Sequence, residues 1–384
     1  MYIGIICEFD PLHSGHARLL SHARAMGADA VICAMSGNFT QRGSFAALDK
    51  RARAEMAVRC GADLVVELPT VWAMSPAETF ARGGVQLLAM TGADTLLFGS
   101  ECGELSALRR LADCLDSPAF ADRLTAADSG ATFAVRRQRA AAALLESPNN
   151  TLAVEYLRAL RRTGASMTPA TLLRTGAAHD GAPEGGTASA SYLRQLLRQG
   201  QGEAACGFTP PEAADILRRE LSHGRVTDSA LCERAVLSRL RVMTEEDWRG
   251  YDPGGEGLYH RLYQAARSAC TVDGLLSAAK TKRYPLARLR RMALAAYLQL
   301  PPAPVQVPYI RVLAATAAGR AHLRRLRDAG APVLTKPADV SSLGADAAAL
   351  FALEGRCTDL YVLARPDLTQ SAPGQDYRTT PVMV

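Results

Sequence analysis

Along the first third of the chain, apolar and polar residues follow two rhythms. Ile3 to Cys7, Ala30 to Met35, Asp63 to Leu68 and Thr95 to Phe98 are short, nearly unbroken apolar runs, the pattern of strands buried on both faces. Between them, Ala17, Leu19, Leu20, Ala23 and Ala25 mark a helix that begins near Ser14, and helical spacing also covers Ala46 to Cys60 and Ser75 to Met90. Strand and helix in alternation predict an α/β fold, a parallel sheet with helices on both faces, in which ligands bind beyond the carboxyl ends of the strands. Thr168 to Arg174 reads as a fifth strand. Gly, Gln and Pro at 200–211 mark a boundary, and from Glu212 to about Leu300 the pattern is mainly helical. Two units are therefore expected, residues 1–200 and 201–384.

The residues that follow the strands carry the candidate chemistry. The first strand runs into Glu8-Phe9-Asp10-Pro11, where the proline ends it, and then into His13-Ser14-Gly15-His16. Two imidazoles three residues apart at a helix N-terminus, beside a glycine that lets a ligand approach the backbone, suit the anionic oxygens of a phosphate. Ser36-Gly37-Asn38-Phe39-Thr40-Gln41-Arg42-Gly43 follows the second strand, Pro69 the third and Gly99-Ser100-Glu101 the fourth, a succession that points to one shared pocket. Arg174 would put a cation at the end of the fifth strand. Asn150 is placed either to cap the helix that carries Leu152, Val154, Leu157 and Leu160 or to contact a nucleotide. The hydroxyls of Ser189 and Ser191, with Arg194, open another helix, which reads as a polyphosphate site or as a capped surface helix.

Composition sets the class. At 48% hydrophobic and 21% charged residues the chain is neither disordered nor fibrous. No apolar run approaches the roughly 18 residues of a membrane span, and the N-terminus lacks the basic and apolar succession of a signal peptide, so a cytoplasmic location without membrane association is expected. The nine cysteines are dispersed, with no C-x-x-C pair and no histidine at zinc-ligand spacing, which predicts reduced thiols and no metal site. Cys7 and Cys33 read as small core residues. The net charge of +6 conceals a basic block: residues 257–330 hold 13 Lys and Arg against 2 Asp and Glu. Within it Lys282, Arg283, Tyr284, Arg288, Arg290 and Arg291, extended by Arg311 and the stretch from His322 to Arg327, suit an RNA backbone with an exposed base, the alternative being a solvated basic helix. Arg109 to Leu145 is Ala- and Arg-rich and helical in pattern, with no catalytic constellation.

These motifs together carry a resemblance. EFDPLHSGH at residues 8–16 is the signature of the HxGH nucleotidyltransferase superfamily. With MSGNFTQRG at 35–43, DKRARAEMA at 49–57, VVELP at 65–69, FGSE at 98–101, PNN at 148–150, ASASYLR at 188–194, TKRYPLARLRR at 281–291 and PYIRVL at 308–313, the chain resembles the bacterial tRNA(Met) cytidine acetate ligase family. The resemblance implies a Rossmann-like nucleotidyltransferase sheet followed by a mainly helical, basic, tRNA-binding region. It implies ATP-dependent formation of N4-acetylcytidine at the wobble position of elongator tRNA(Met), from acetate through an acetyl-adenylate, with release of AMP and pyrophosphate. ATP is then expected on Ile6, Cys7, Glu8, Phe9, Asp10, Pro11, Leu12, His13, Ser14, Gly15, His16, Ala17, Arg18 and Leu19. Gly99, Asn149 or Asn150, Arg174, Ser189, Ser191 and Arg194 are expected to join them. His13 and His16 take the catalytic role, and Ser36, Gly37, Asn38, Gln41, Arg42, Asp49 and Lys50 the substrate pocket. Asp10 departs from the Asn that the family implies. Mg2+ is expected with ATP, although no carboxylate cluster nominates itself as its ligand, and no protein partner is inferred. Two other activities fit parts of the pattern: nucleotidyl transfer to a small phosphorylated acceptor, and tRNA binding without catalysis.

Overall fold

The computed structural model describes residues 1–117, 147–174, 187–252, 257–281 and 284–384. Lys282, Arg283 and most of the Arg109 to Leu145 stretch lie outside these residues. Eight strands form one sheet: β1 (Tyr2–Cys7), β2 (Ala30–Ser36), β3 (Leu64–Leu68), β4 (Thr95–Ser100), β5 (Thr168–Leu173), β6 (Ile310–Ala315), β7 (Val333–Leu334) and β8 (Val382–Met383). Their order is β5-β4-β1-β2-β3-β6-β7, with β8 also paired to β6. The first five strands are parallel, as expected, and β1 lies among them, in register with β2 from Tyr2 opposite Ala30 to Cys7 opposite Met35 and with β4 from Ile3 opposite Thr95. Because β2 lies to one side of β1 and β4 to the other, the strand order reverses beside β1, where the helix turns that follow diverge and leave a crevice.

Alternation along the central strands assigns their two faces. Ile3, Ile5 and Cys7 join Val31, Cys33 and Met35 under the helices Ser14–Ala25, Lys50–Arg59 and Ala190–Arg198. Ile6, Ile32, Ala34, Leu64 and Val66 face the helices Ala77–Met90, Pro148–Thr163 and Ala345–Tyr361. Gly4 is required on that second face, since a Cβ there would lie 2.8 Å from the Leu88 side chain.

After residue 200 the chain is mainly helical until β6, which returns to the sheet antiparallel to β3 and carries β7 and β8 on its far side. The C-terminal region therefore shares a core with the N-terminal half. Two local expectations change. The second helix starts at Lys50 rather than Ala46, because the amide of Ala46 donates to the Asn38 carbonyl and that of Ala47 to Asp10, in a turn capped by Asp49. The Pro148–Thr163 helix has Ser147 at its N-cap position, and Asn150 lies inside its first turn. Among the described residues, no helix is long and apolar enough to cross a membrane.

Candidate active site

The HxGH turn sits at the carboxyl end of β1, at the crevice. Glu8 anchors it to the loop after β2: its Oε1 accepts from the Gln41 amide at 2.7 Å and from Ser36 Oγ at 3.3 Å. Phe9 has φ 47°, and the Asp10-Pro11 peptide is cis. Asp10 Oδ1 accepts from the Ala47 amide at 2.6 Å, and its main-chain oxygen accepts from Arg194 Nη1 at 2.6 Å. His13 caps the following helix, its Nδ1 accepting from the Gly15 amide at 3.0 Å, while His16 Nδ1 accepts from the His13 amide at 3.3 Å. The two rings stack with centroids 3.8 Å apart. Since both δ nitrogens accept, this hydrogen-bond pattern assigns each neutral ring its hydrogen on Nε2, which leaves two N–H donors for a ligand. Burial, then Arg174 and Arg194, push His13 down to about 3. Burial, His13 and the same two arginines push His16 down as well. At neutral pH the pair consists of hydrogen-bond donors without charge, set beside two permanent cations.

A cavity of about 620 Å³ opens over this turn. Ile6, Cys7, Glu8, Phe9, Asp10, His13, His16 and Leu19 line it from the first motif, joined by Gly99, Asn149, Arg174, Ser189 and Arg194. Gly15 and Arg18 border a smaller adjoining pocket of about 60 Å³ that shares His13, His16, Gly99, Arg174 and Ser189. Pro11, Leu12, Ser14 and Ala17 line neither: Leu12 is in the core, and Ser14 Oγ donates to the Phe208 carbonyl at 3.0 Å. Ser191 also stays outside, its hydroxyl accepting from Arg194 Nη2 at 3.1 Å and so aiming the guanidinium. The adjacent asparagines divide the work. Buried Asn150 accepts from the amides of Glu101 and Cys102 at 3.0 and 3.2 Å and fixes the turn after β4. Asn149 lines the cavity, its Nδ2 donating to Glu101 at 2.6 Å.

Of the seven residues expected in the substrate pocket, Gln41 and Arg42 line the cavity. Ser36, Gly37, Asn38, Asp49 and Lys50 lie beneath it as scaffold. Lys50, fully buried, pairs with Glu67 at 2.7 Å and Asp376 at 2.8 Å, and its amide donates to Asn38. Gly37 is required above this cluster, where a Cβ would approach Glu67 Oε1 to 2.6 Å. Arg53 is a residue that sequence reasoning missed. Buried in the Lys50–Arg59 helix, it donates to the carbonyls of Glu8 at 2.5 Å, Ser36 at 3.2 Å, Leu48 at 2.9 Å and Gly37, and so binds the ends of β1 and β2 together. Its neighbours Lys50, Arg51, Glu55 and Arg59 make the same helix charged throughout, so no local signal set Arg53 apart.

The basic residues separate by environment. Arg290 is exposed, as are Arg324, Arg325 and Arg327 on the Ala317–Asp328 helix. Tyr284 is buried, and Arg288 lies over its ring while pairing with Asp252 at 3.2 Å. Arg291 turns into the cavity, where Nη1 donates to the Gln41 carbonyl at 3.1 Å. Burial, with Arg288, lowers it to about 10, so it stays charged at neutral pH. Arg311 is no surface cation: it is 5% exposed, the second residue of β6, and pairs with Glu67 at 2.9 Å and Asp376 at 3.1 Å. It belongs in the core because those two carboxylates neutralise it there. Among the described residues no group of three His, Cys, Asp or Glu is arranged to hold a metal ion.

Comparison with known proteins agrees with this architecture. Residues 1–376 match the family model described as HIGH Nucleotidyl Transferase. A tRNA(Met) cytidine acetate ligase of Syntrophomonas wolfei is 32% identical over 99% of both chains, and one of Syntrophotalea carbinolica is 38% identical over 75% of this chain and 72% of its own. A crystal structure of Thermotoga maritima TmcAL without ligand superposes with a TM-score of 0.90 at 28% identity, covering 100% of this chain and 99% of that one. A second, bound with alpha-thio ATP, gives 0.89 at the same identity and coverage. With a nucleotidyltransferase match along almost its whole length and ligase relatives above 30% identity over nearly all of it, the chain belongs to the tRNA(Met) cytidine acetate ligase family of HIGH nucleotidyl transferases.

Proposed function

We propose that this protein is an ATP-dependent ligase that joins acetate to the exocyclic amine of the wobble cytidine of elongator tRNA(Met). The observation that carries the reading is the paired, neutral, Nε2-donating imidazoles of His13 and His16 flanked by Arg174 and Arg194 in one cavity. Acetate is a poor acyl donor until its carboxylate is activated. A carboxylate oxygen attacks the α-phosphorus of ATP, the new C–O–P linkage forms, and the bond to pyrophosphate breaks with its electron pair departing on that leaving group. Negative charge gathers on the α-phosphoryl and pyrophosphate oxygens, within reach of donors that need no reorganisation. One such donor is worth roughly 3–4 kcal/mol in the transition state. Mg2+ is expected to enter with the nucleotide, neutralising phosphate charge. The cytosine N4 then attacks the acyl carbon, AMP leaves, and the amine gives up a proton.

Presentation of that cytosine requires an unstacked anticodon loop, which is how proteins usually read RNA sequence. Arg290, Arg324, Arg325 and Arg327 are the exposed cations suited to its backbone. A tRNA substrate also argues for a cytoplasmic location. Incubation with ATP, labelled acetate and total tRNA tests the proposal: acid-precipitable label in wild type and its loss in His16→Ala are expected. AMP transferred to a small phosphorylated acceptor, or tRNA binding without any label, would overturn it.

A further inference from the structure

The large cavity has two ends. The smaller pocket, where His13, His16, Gly99 and Arg174 meet, includes none of Thr40, Gln41, Arg42, Ser44 or Arg291, which form the opposite wall of the large one. That wall is joined to the basic helix Leu286–Leu298 by direct backbone contact. Gly43 has φ 75°, and a Cβ on it would lie 2.5 Å from the Arg291 nitrogen. Arg291 Nη1 reaches the Gln41 carbonyl at 3.1 Å, and Gln41 Nε2 in turn donates to the Ser75 carbonyl at 3.3 Å, just before the helix whose Ala77 and Phe80 line the same cavity. Ala287, one helical turn before Arg291, lines it too. Among the described residues no carboxylate pairs with Arg291, so a partly desolvated guanidinium fork faces a cavity to which Ala77, Phe80 and Ala287 contribute apolar surface. A partly desolvated cation without a counter-charge is a cost that an anionic ligand relieves, and a guanidinium fork matches a carboxylate in two parallel hydrogen bonds.

Resting on the ligase reading, we infer that Arg291 binds the carboxylate of the acyl substrate, with the methyl group against Ala77, Phe80 and Ala287. Arg291 is then a substrate ligand at the acyl end of the cavity and takes no part in gripping the RNA backbone. It holds the carboxylate as the nucleophile for the α-phosphorus, while the triphosphate lies with Arg174, Arg194 and the two histidines.

Acetate-dependent ATP–pyrophosphate exchange without tRNA reads this site alone. In Arg291→Gln the KM for acetate should rise about 10- to 100-fold, the range for losing hydrogen bonds to a charged partner, while the KM for ATP and the affinity for tRNA stay within about twofold; Arg291→Lys should fall between. Normal exchange in wild type with an unchanged acetate KM in Arg291→Gln defeats this inference and spares the ligase reading. So does a loss of tRNA affinity with a shallower salt dependence, the mark of an RNA phosphate contact. Absence of exchange in wild type defeats the ligase reading, and this inference with it. Ala287→Val leaves the guanidinium in place and covers the case in which Arg291→Gln fails to fold: it should raise the KM for acetate, and that for propionate further, whereas unchanged values overturn the inference.

Discussion

Replacing Asp376 with Asn tests how far the base of the active site depends on distant chain. Asp376 has no exposure and accepts from Lys50 at 2.8 Å, Arg311 at 3.1 Å, Arg51 at 3.1 Å and Thr358 at 2.9 Å. Against the effect of burial, those three cations hold its carboxyl far below the usual range. Asp376→Asn keeps the shape and removes the charge, leaving Lys50 and Arg311 with Glu67 as their remaining close carboxylate partner. Breaking a buried pair in this way costs about 3–5 kcal/mol. The loss should depend on pH through Glu354. Burial and then Glu67 push that carboxyl from an ordinary 4.5 up to about 7. A carboxyl raised in the folded state contributes stability that is full below 4.5 and lost as pH rises through 7. With Asp376 neutralised, Glu354 has a vacancy for its negative charge and ionises at lower pH, so the variant loses less on alkalinisation than wild type does. The cost of Asp376→Asn should therefore shrink between pH 5.5 and pH 8, by roughly 1.4 kcal/mol for each unit by which Glu354 moves down. Urea denaturation at the two pH values measures it. A cost below about 1 kcal/mol, well under the buried-pair range, or a pH trend that survives in the Glu354→Gln background, would refute this account of the cluster.

Three further outcomes are expected. Gly43→Ala places a methyl against the backbone of Arg290 and Arg291 at positive φ, about 1–2 kcal/mol of conformational strain before any clash; pyrophosphate exchange should fall more than the melting temperature suggests, and an unchanged acetate KM would separate the loop from the site. His13, at about 3 when folded, stays neutral while the unfolded chain takes up a proton near 6.5, so stability falls as pH drops below 6.5, by about 1.4 kcal/mol at pH 5.5; denaturation curves of His13→Gln should lack that share of the decline. Arg53→Ala leaves four carbonyls without their donor, and a loss of about 3–5 kcal/mol in chemical denaturation is expected, with ATP unable to restore wild-type stability.

The parallel core and the HxGH turn were legible because their signals are local. A strand buried on both faces writes a continuous apolar run, and a turn that begins a helix writes its cap within four residues. What was illegible depends on pairings between distant residues. Asp376 and Glu354 drew no reading from the sequence, since nothing near them announces Lys50 or Thr70 as partners. Arg311 read as part of a basic surface because the block around it is basic, although the apolar run from Ile310 to Ala315 that encloses it is the strand pattern used elsewhere. Asn150 read as a cap or a nucleotide contact because it precedes an amphipathic run, and its actual partners belong to the turn after β4. Arg291 differs from exposed Arg290 only in the side of the helix it occupies, which a lone basic stretch does not reveal.

The placement of Asp376 also bears on biosynthesis. The HxGH turn is translated well before Asp376, yet the ground beneath its neighbouring loop holds two buried cations, Lys50 and Arg311, that share Glu67 and Asp376 as counter-ions. β8, which pairs with β6, is translated later still. The nascent chain can assemble β1 to β5 early, but the floor under Gly37 and Asn38 closes only after Asp376 has emerged. Organisation of the site is in this way tied to translation through Asp376, so that a product truncated before it would carry the histidine motif without an organised floor beside it.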